Sequence, residues 1–268
     1  MQNRLKLLTC SLSATLALAL TLAAFAQAPD AKPKATTSAG AGSGISRDLS
    51  GVWVLSHVPG QGVLGIYSDP IPPLTPWGRA KYDQAKPGYG PKAAPGGNDP
   101  SLSCSPAGIP RVMLMDMLPF EIVQDSDRVF VFFEWQHLWR QIWLNRMEHA
   151  KDVSDTWMGD SIGHWEGNTL VVDSVGFNDR TWLDHNGDPH SDEMHLTERF
   201  ERIDPTTLKV NFVIDDPKTY SKPWVSDGKL YKLMPKGEQN IEELFCVPED
   251  EDAFTRRIRI PAAVPPKQ

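Results

Sequence analysis

From Phe120 onward the apolar residues recur in short runs rather than at helical spacing. Leu208, Val210, Phe212 and Ile214 alternate with Lys209, Asn211 and Val213, the period of two that marks a half-buried strand. Runs rich in β-branched and aromatic residues, bounded by turn residues, predict strands over Phe120–Gln124, Val129–Trp135, Leu138–Asn145, Asp160–Trp165, Thr169–Phe177, Met194–Asp204, Thr207–Asp215, Trp224–Leu233 and Ile241–Val247. A first strand is expected near Ser50-Gly51-Val52-Trp53, with order beginning close to Asp48. Trp165-Glu166-Gly167-Asn168-Thr169 and Asp204-Pro205-Thr206-Thr207 read as tight hairpins. Helical signal is confined to one or two short pieces. Thr75-Pro76-Trp77-Gly78 opens the clearest, with Thr75 as cap and Pro76 in the first turn, running to about Gln84. Sequential strands joined by short turns make an antiparallel meander, which removes its edges by closing into a barrel or packing as two sheets.

The Gly51-Val52-Trp53 step is similar to the Gly-x-Trp opening of lipocalin-like barrels. With the meander behind it, the expected fold is all-β: a lipocalin-like (calycin-type) barrel rather than a sandwich. Closed barrels of this size hold one small ligand or a filled core.

Four segments are expected along the chain. Residues 1–26 read as a secretory signal: Arg4 and Lys6, an apolar stretch from Leu12 to Phe25, then the small-residue triplets Ala24-Phe25-Ala26 and Ala26-Gln27-Ala28. Cleavage after Ala26 is preferred, because the second triplet would leave Pro29 first. The apolar stretch is short for a membrane span of about 20 residues, so the expected location is periplasmic or secreted. Residues 27–47, mostly Ala, Pro, Lys, Thr, Ser and Gly, read as a flexible tether. Residues 48–250 form the single barrel domain, including a proline-rich irregular stretch at 69–111, and 251–268 form a C-terminal tail. Long irregular stretches of this kind are usually functional or wrapped on the surface.

Loss of Arg4 and Lys6 with residues 1–26 leaves 25 Lys+Arg against 34 Asp+Glu, a net charge of −9. That balance argues against nucleic acid and anionic membranes as partners, since both require a positive field. Cys104 and Cys246 remain after Cys10 is removed. In an oxidising compartment two cysteines suit one disulfide, closing a long loop and worth on the order of 4 kcal/mol in the chain-entropy description. A catalytic thiol is the alternative. It requires a histidine nearby in space.

Several longer strings carry a resemblance. Pro-Pro-Leu-Thr-Pro-Trp-Gly (72–78), Pro-Phe-Glu-Ile-Val-Gln (119–124), Gly-Asp-Ser-Ile-Gly-His-Trp-Glu-Gly-Asn-Thr-Leu-Val-Val-Asp (159–173), Pro-His-Ser (189–191) and Asp-Pro-Lys-Thr-Tyr-Ser-Lys-Pro-Trp (216–224) resemble a large family of uncharacterised exported bacterial proteins, over roughly Leu49 to Cys246. The resemblance implies an exported β-rich domain and little about chemistry.

Candidate chemistry concentrates between Phe177 and Phe200, which hold His185, His190 and His195 among several carboxylates. On a strand, odd spacing sets His195 and Glu198 on opposite faces. Glu198 then shares a face with Met194, Leu196 and Phe200, where a carboxylate is costly unless paired or protonated. Arg140, in step with Leu138, Ile142 and Leu144, is the expected inward partner. Glu198 is therefore either half of a buried ion pair or, with His190 and His195, part of an acid/base set. His190 and His195 could also hold zinc with Asp192, Glu193 or His185, although no His-Glu-x-x-His signature is present, so metal occupancy stays open. Asp184-x-Asn186-x-Asp188 alternates like a calcium loop, but Pro189 stands where the glycine belongs, and a surface loop of Asx turns is preferred. Trp157, Trp165 and Trp182 bracket this segment. Trp157, Trp182, Asn178, Asp184 and Asp160, the last in a glycine-bounded turn with Ser161, are candidate ligand contacts beside Arg140. There is no Gly-x-Ser-x-Gly elbow and no phosphate loop.

Three function classes remain. The first is an exported barrel that binds a small, partly apolar or sugar-like molecule without a cofactor. The second is a cofactor-free acid/base enzyme (isomerase, dehydratase or lyase type) using His190, His195 and Glu198. The third is a surface protein whose polar loop meets another protein. Fold class alone does not choose among them.

Overall fold

The computed structural model describes residues 47–56, 70–88, 90, 92–153 and 155–259. The expected signal segment and all of the tether except Arg47 lie outside the described residues. The chain divides into Met1–Gly42, also outside them, and Ser43–Gln268, which carries everything below.

Ten strands form one sheet: β1 (Gly51–Leu55), β2 (Phe120–Gln124), β3 (Arg128–Phe133), β4 (Trp139–Trp143), β5 (Asp160–Glu166), β6 (Thr169–Val175), β7 (His195–Asp204), β8 (Thr207–Asp215), β9 (Trp224–Val225) and β10 (Lys229–Leu233). β10 pairs with both β1 and β8, which closes a nine-stranded lipocalin-like barrel and leaves β9 as an extra strand on β8. Helix α1 (Pro76–Gln84) starts where expected, with Thr75 Oγ1 accepting from the Gly78 amide at 3.1 Å. Both tight hairpins form, pairing Glu166 with Thr169 and Asp204 with Thr207.

Alternation along the strands sorts the side chains. On β7, Leu196, Glu198 and Phe200 are buried while His195, Thr197 and Arg199 are not. The inward sets of β2, β3, β6 and β8 join them in one apolar core with Trp53 and Tyr231.

Three expectations are corrected. The meander is not wholly antiparallel: β4 and β5 run parallel, with Ile142 beside Ser161. β4 and β5 therefore start at the same rim and are not joined by a hairpin. The single expected strand over Trp224–Leu233 splits into β9 and β10. Ser226 interrupts it, since its hydroxyl accepts from the Phe212 amide at 2.8 Å and its amide donates to the Phe212 carbonyl at 2.9 Å. The expected strand Ile241–Val247 reduces to a bridge between Leu244 and Trp135. It leads into a second helix, α2 (Pro248–Phe254), which straddles the expected tail boundary at 250/251. The disulfide itself is formed between Cys104 and Cys246.

The two rims differ. At one, β2, β6 and β8 are joined to their neighbours by turns at 125–127, 167–168 and 205–206. The other rim gathers the ends of β1, β3, β6 and β8 and the starts of β2, β4, β5, β7 and β10, with the long loop 176–194. The end of the irregular stretch lies at this loop-bearing rim, but it is not wrapped on the surface. Ala107, Ile109 and Val112–Met115 are buried in the core, and Tyr231 donates to the Met113 carbonyl at 3.0 Å. Gly108 takes a left-handed φ of 71°, and a Cβ there would meet Thr181 Oγ1 at 2.9 Å, so this crossing requires glycine. Among the described residues no helix is long and apolar enough to cross a membrane.

Candidate functional site

Inside the barrel, Arg140 and Glu198 form an ion pair at 2.7 Å, with relative exposures of 3% and 0%. Arg140 Nη2 also donates to Ser161 Oγ at 2.8 Å and Ser174 Oγ at 3.1 Å, and the two hydroxyls are 2.9 Å apart. Arg140, Ser161 and Ser174 each stand one residue in from the loop-bearing rim, on β4, β5 and β6. Glu198 Oε1 and Arg140 Nε have no hydrogen-bond partner among the described residues. Burial pushes the Glu198 carboxyl above its ordinary range, against the pull of Arg140. Burial also holds the nearby Tyr231 phenol well above its usual value, with Glu198 adding to the effect.

Above this cluster the loop 176–194 is folded in rather than out. His190 is buried; its Nδ1 faces the Ser191 carbonyl at 3.2 Å and so carries the proton, while Nε2 accepts from the Thr181 hydroxyl at 2.5 Å. Burial lowers its pKa, which keeps the ring neutral. Ser191 is held by both oxygens of Asp216, amide at 2.6 Å and hydroxyl at 2.7 Å, and Tyr220 donates to the Pro189 carbonyl at 2.7 Å. Thr75 in turn donates to the Lys218 carbonyl. Three strings far apart in sequence (72–78, 189–191 and 216–224) therefore meet, and their polar residues build the scaffold of one rim.

Beside them, Arg111 is 1% exposed and grips Asp99 through both terminal nitrogens at 2.8 and 2.5 Å. It also lies over the Trp182 ring at 5.6 Å and within 3.4 Å of His185 Nδ1. Burial, then the Arg111 charge, lower the His185 pKa.

The candidate residues thus separate. Trp157, Asn178, Trp182 and Asp184 lie in the loops of this rim. Asn178 Oδ1 accepts from the Arg180 amide at 3.0 Å, and Arg180 lies over Trp157 at 5.9 Å. Asp184 closes an Asx turn on the Asn186 amide at 2.7 Å, as preferred over calcium. It is fully buried, however, with Asp188 3% exposed, so this is no surface loop. Trp165 sits at the opposite rim, under Arg47 at 5.7 Å. Asp160 and Ser161 belong to β5 rather than to a turn, so they point to opposite faces. Ser161 joins the interior cluster, whereas Asp160 binds His149 at 3.0 Å on the outside.

His190, His195 and Glu198 are not brought together. His195 stands on the outer face, where Asp173 holds its Nε2 and raises its pKa. His149 Nε2 lies 3.7 Å from the same carboxylate. Among the described residues no group of three or more His, Cys, Asp or Glu is placed to hold a metal ion. Sequence reasoning missed Arg111, Ser174, Asp216 and Tyr231. Arg111 left a signal as a lone charge in the apolar run Gly108-Ile109-Pro110-Arg111-Val112-Met113-Leu114-Met115, and Asp216 opens the string 216–224.

Comparison with family models, with curated proteins and with solved structures finds no match to this chain. Its class is defined by its own geometry: a closed lipocalin-like β-barrel with a charged cluster buried beneath a rim of long, folded-in loops.

Proposed function

We propose that this protein is an exported binding barrel that takes a small, partly apolar or sugar-like molecule at the loop-bearing rim. The observation that carries the reading is the buried Arg140–Glu198 pair, with Arg140 one residue in from that rim and Glu198 three, and with one acceptor and one donor atom lacking a protein partner among the described residues. Burying two charges is costly, and an apolar pair of similar volume would serve stability at least as well. A pair retained for recognition explains the arrangement. Trp157 and Trp182 supply aromatic surface at the same rim, suited to an apolar or sugar-like face. The Cys104–Cys246 disulfide fits an oxidising compartment. The acid/base reading gains no such support, since both ring nitrogens of His190 are engaged and His195 faces away from Glu198.

The test is native mass spectrometry of protein purified from an exporting host, beside a denatured spectrum. An organic mass that is retained natively and lost on denaturation is the expected result. A bare protein that gains no thermal stability from a panel of monosaccharides, fatty alcohols and aromatic acids would overturn the reading.

A further inference from the structure

We infer that loop 176–194 is an acid-released strap: protonation of His185 and His190 frees it from the buried crossing at 108–111 and opens the loop-bearing rim while the barrel stays closed. The contacts of the loop alone carry this, independently of the binding reading.

Two histidines of one loop bear on the same crossing. Thr181 lies against it, since a Cβ on Gly108 would meet Thr181 Oγ1 at 2.9 Å. The Thr181 hydroxyl donates to His190 Nε2, and His190 Nδ1 faces the Ser191 carbonyl at 3.2 Å. Both nitrogens of the neutral ring are therefore used, and a proton added at Nε2 would meet the Thr181 hydroxyl proton. Further along the crossing, Arg111 points Nη2 at His185 Nδ1, 3.4 Å away. A guanidinium only donates, so that nitrogen keeps its lone pair. A proton there would set a second cation beside a guanidinium that is 1% exposed.

The surrounding charges relieve neither ring. Those facing His185 are Arg111, Asp99 and Asp184. Asp99 is gripped by both terminal nitrogens of Arg111, and Asp184 is turned onto the Asn186 amide. Those facing His190 are Asp216, Asp179 and Lys81. Asp216 holds the Ser191 amide and hydroxyl, and Asp179 pairs with Lys81 at 3.0 Å. Burial is the first cause that lowers both histidine pKa values. The closed loop thus excludes protons that the open loop would bind. Closure is fully favoured above the ordinary value of about 6.5 and is lost as pH falls toward the folded values. The interior Glu198 shifts the opposite way: burial raises its pKa, so the closed barrel gains from the same acid.

The test is amide hydrogen exchange of the disulfide-bonded protein between pH 7 and pH 5, corrected for the intrinsic exchange rate. The reporters are the Leu183 and Met194 amides, which donate to the Asp188 and Ser191 carbonyls, with β6, β7 and β8 as the reference. Loop protection is expected to fall about ten-fold for each histidine over that range, while the strands keep theirs. His185→Gln/His190→Gln retains hydrogen-bonding side chains that do not titrate, and its loop protection should hold across the range. If the double variant fails to fold, the single changes decide: each is expected to leave about a ten-fold response. His195→Gln, on the outer face, should keep the full response. Loop protection that does not change with pH in the wild type, strands that lose protection together with the loop, a full response in the double or either single variant, or a response abolished by His195→Gln overturns the inference.

Discussion

Replacing Glu198 by Leu isolates the energetic role of the interior pair. The change removes a fully buried carboxylate and leaves the Arg140 guanidinium, 3% exposed, with only the Ser161 and Ser174 hydroxyls. Two neutral hydroxyls do not balance a buried charge, and breaking a buried pair from one side costs about 3–5 kcal/mol. For a domain of this size each kcal/mol lowers Tm by about 2–4 °C, so the midpoint should fall by about 6–20 °C. Arg140→Met/Glu198→Leu removes the charge problem as well as the attraction, and should return to within about 2 kcal/mol of wild type. The two single changes and the double change form a cycle whose coupling energy exceeds about 2 kcal/mol. Guanidinium unfolding followed by tryptophan fluorescence reads all four proteins, with an unchanged m-value as the check that the same surface is exposed. A cost below about 1 kcal/mol for Glu198→Leu, or a double variant as unstable as the two singles combined, would refute the reasoning: the pair would then be solvated or uncoupled.

Other consequences are equally concrete. Because burial lowers the His190 pKa, its neutral form stabilises the fold above the ordinary value of about 6.5, and that share is lost as pH falls. Its ring resonances should therefore titrate at lower pH than those of an exposed imidazole, with the neutral form Nδ1-protonated, as read by NMR across pH. On the outer face Asp173 raises the His195 pKa, while His195 lowers that of Asp173. The His195 share is complete below about pH 6.5 and lost as pH rises through its folded value; the Asp173 share is complete above about pH 3.9 and lost as pH falls through its own. The stability advantage of wild type over His195→Gln should thus peak between those limits, measured by urea unfolding across pH. Cys104→Ser/Cys246→Ser should cost about 2–5 kcal/mol, because the bridge closes a separation of 142 residues, and non-reducing denaturation reads this directly. Gly108→Ala should also destabilise, by at least about 1 kcal/mol, since it combines a left-handed φ of 71° with a Cβ contact to Thr181; calorimetric Tm checks it.

What the sequence by itself determined was local. Runs of β-branched and aromatic residues bounded by turn residues placed β2, β3, β6, β7 and β8 to within two residues at each end, and period-two alternation marked β8 as half-buried. It also set Glu198 inward and His195 outward on β7, and named Arg140 as the inward partner. Cys104 and Cys246 announced the disulfide. Tertiary structure decided what alternation does not encode. The parallel pairing of β4 with β5 depends on where residues 144–159 travel, and the ending of β9 depends on a serine replacing ladder bonds across strands. Polar composition made the 176–194 loop read as a surface. It is buried because its partners, Asp216, Tyr220 and Thr181, satisfy His190, Pro189 and Ser191, and no local pattern signals a hydrogen bond 25 or 31 residues distant. The same holds for Arg111, whose guanidinium becomes a rim residue only when the proline-rich stretch turns inward and meets His185 and Trp182. Strand periodicity is a property of neighbouring residues, whereas a site is assembled by contacts that exist only once the barrel has closed.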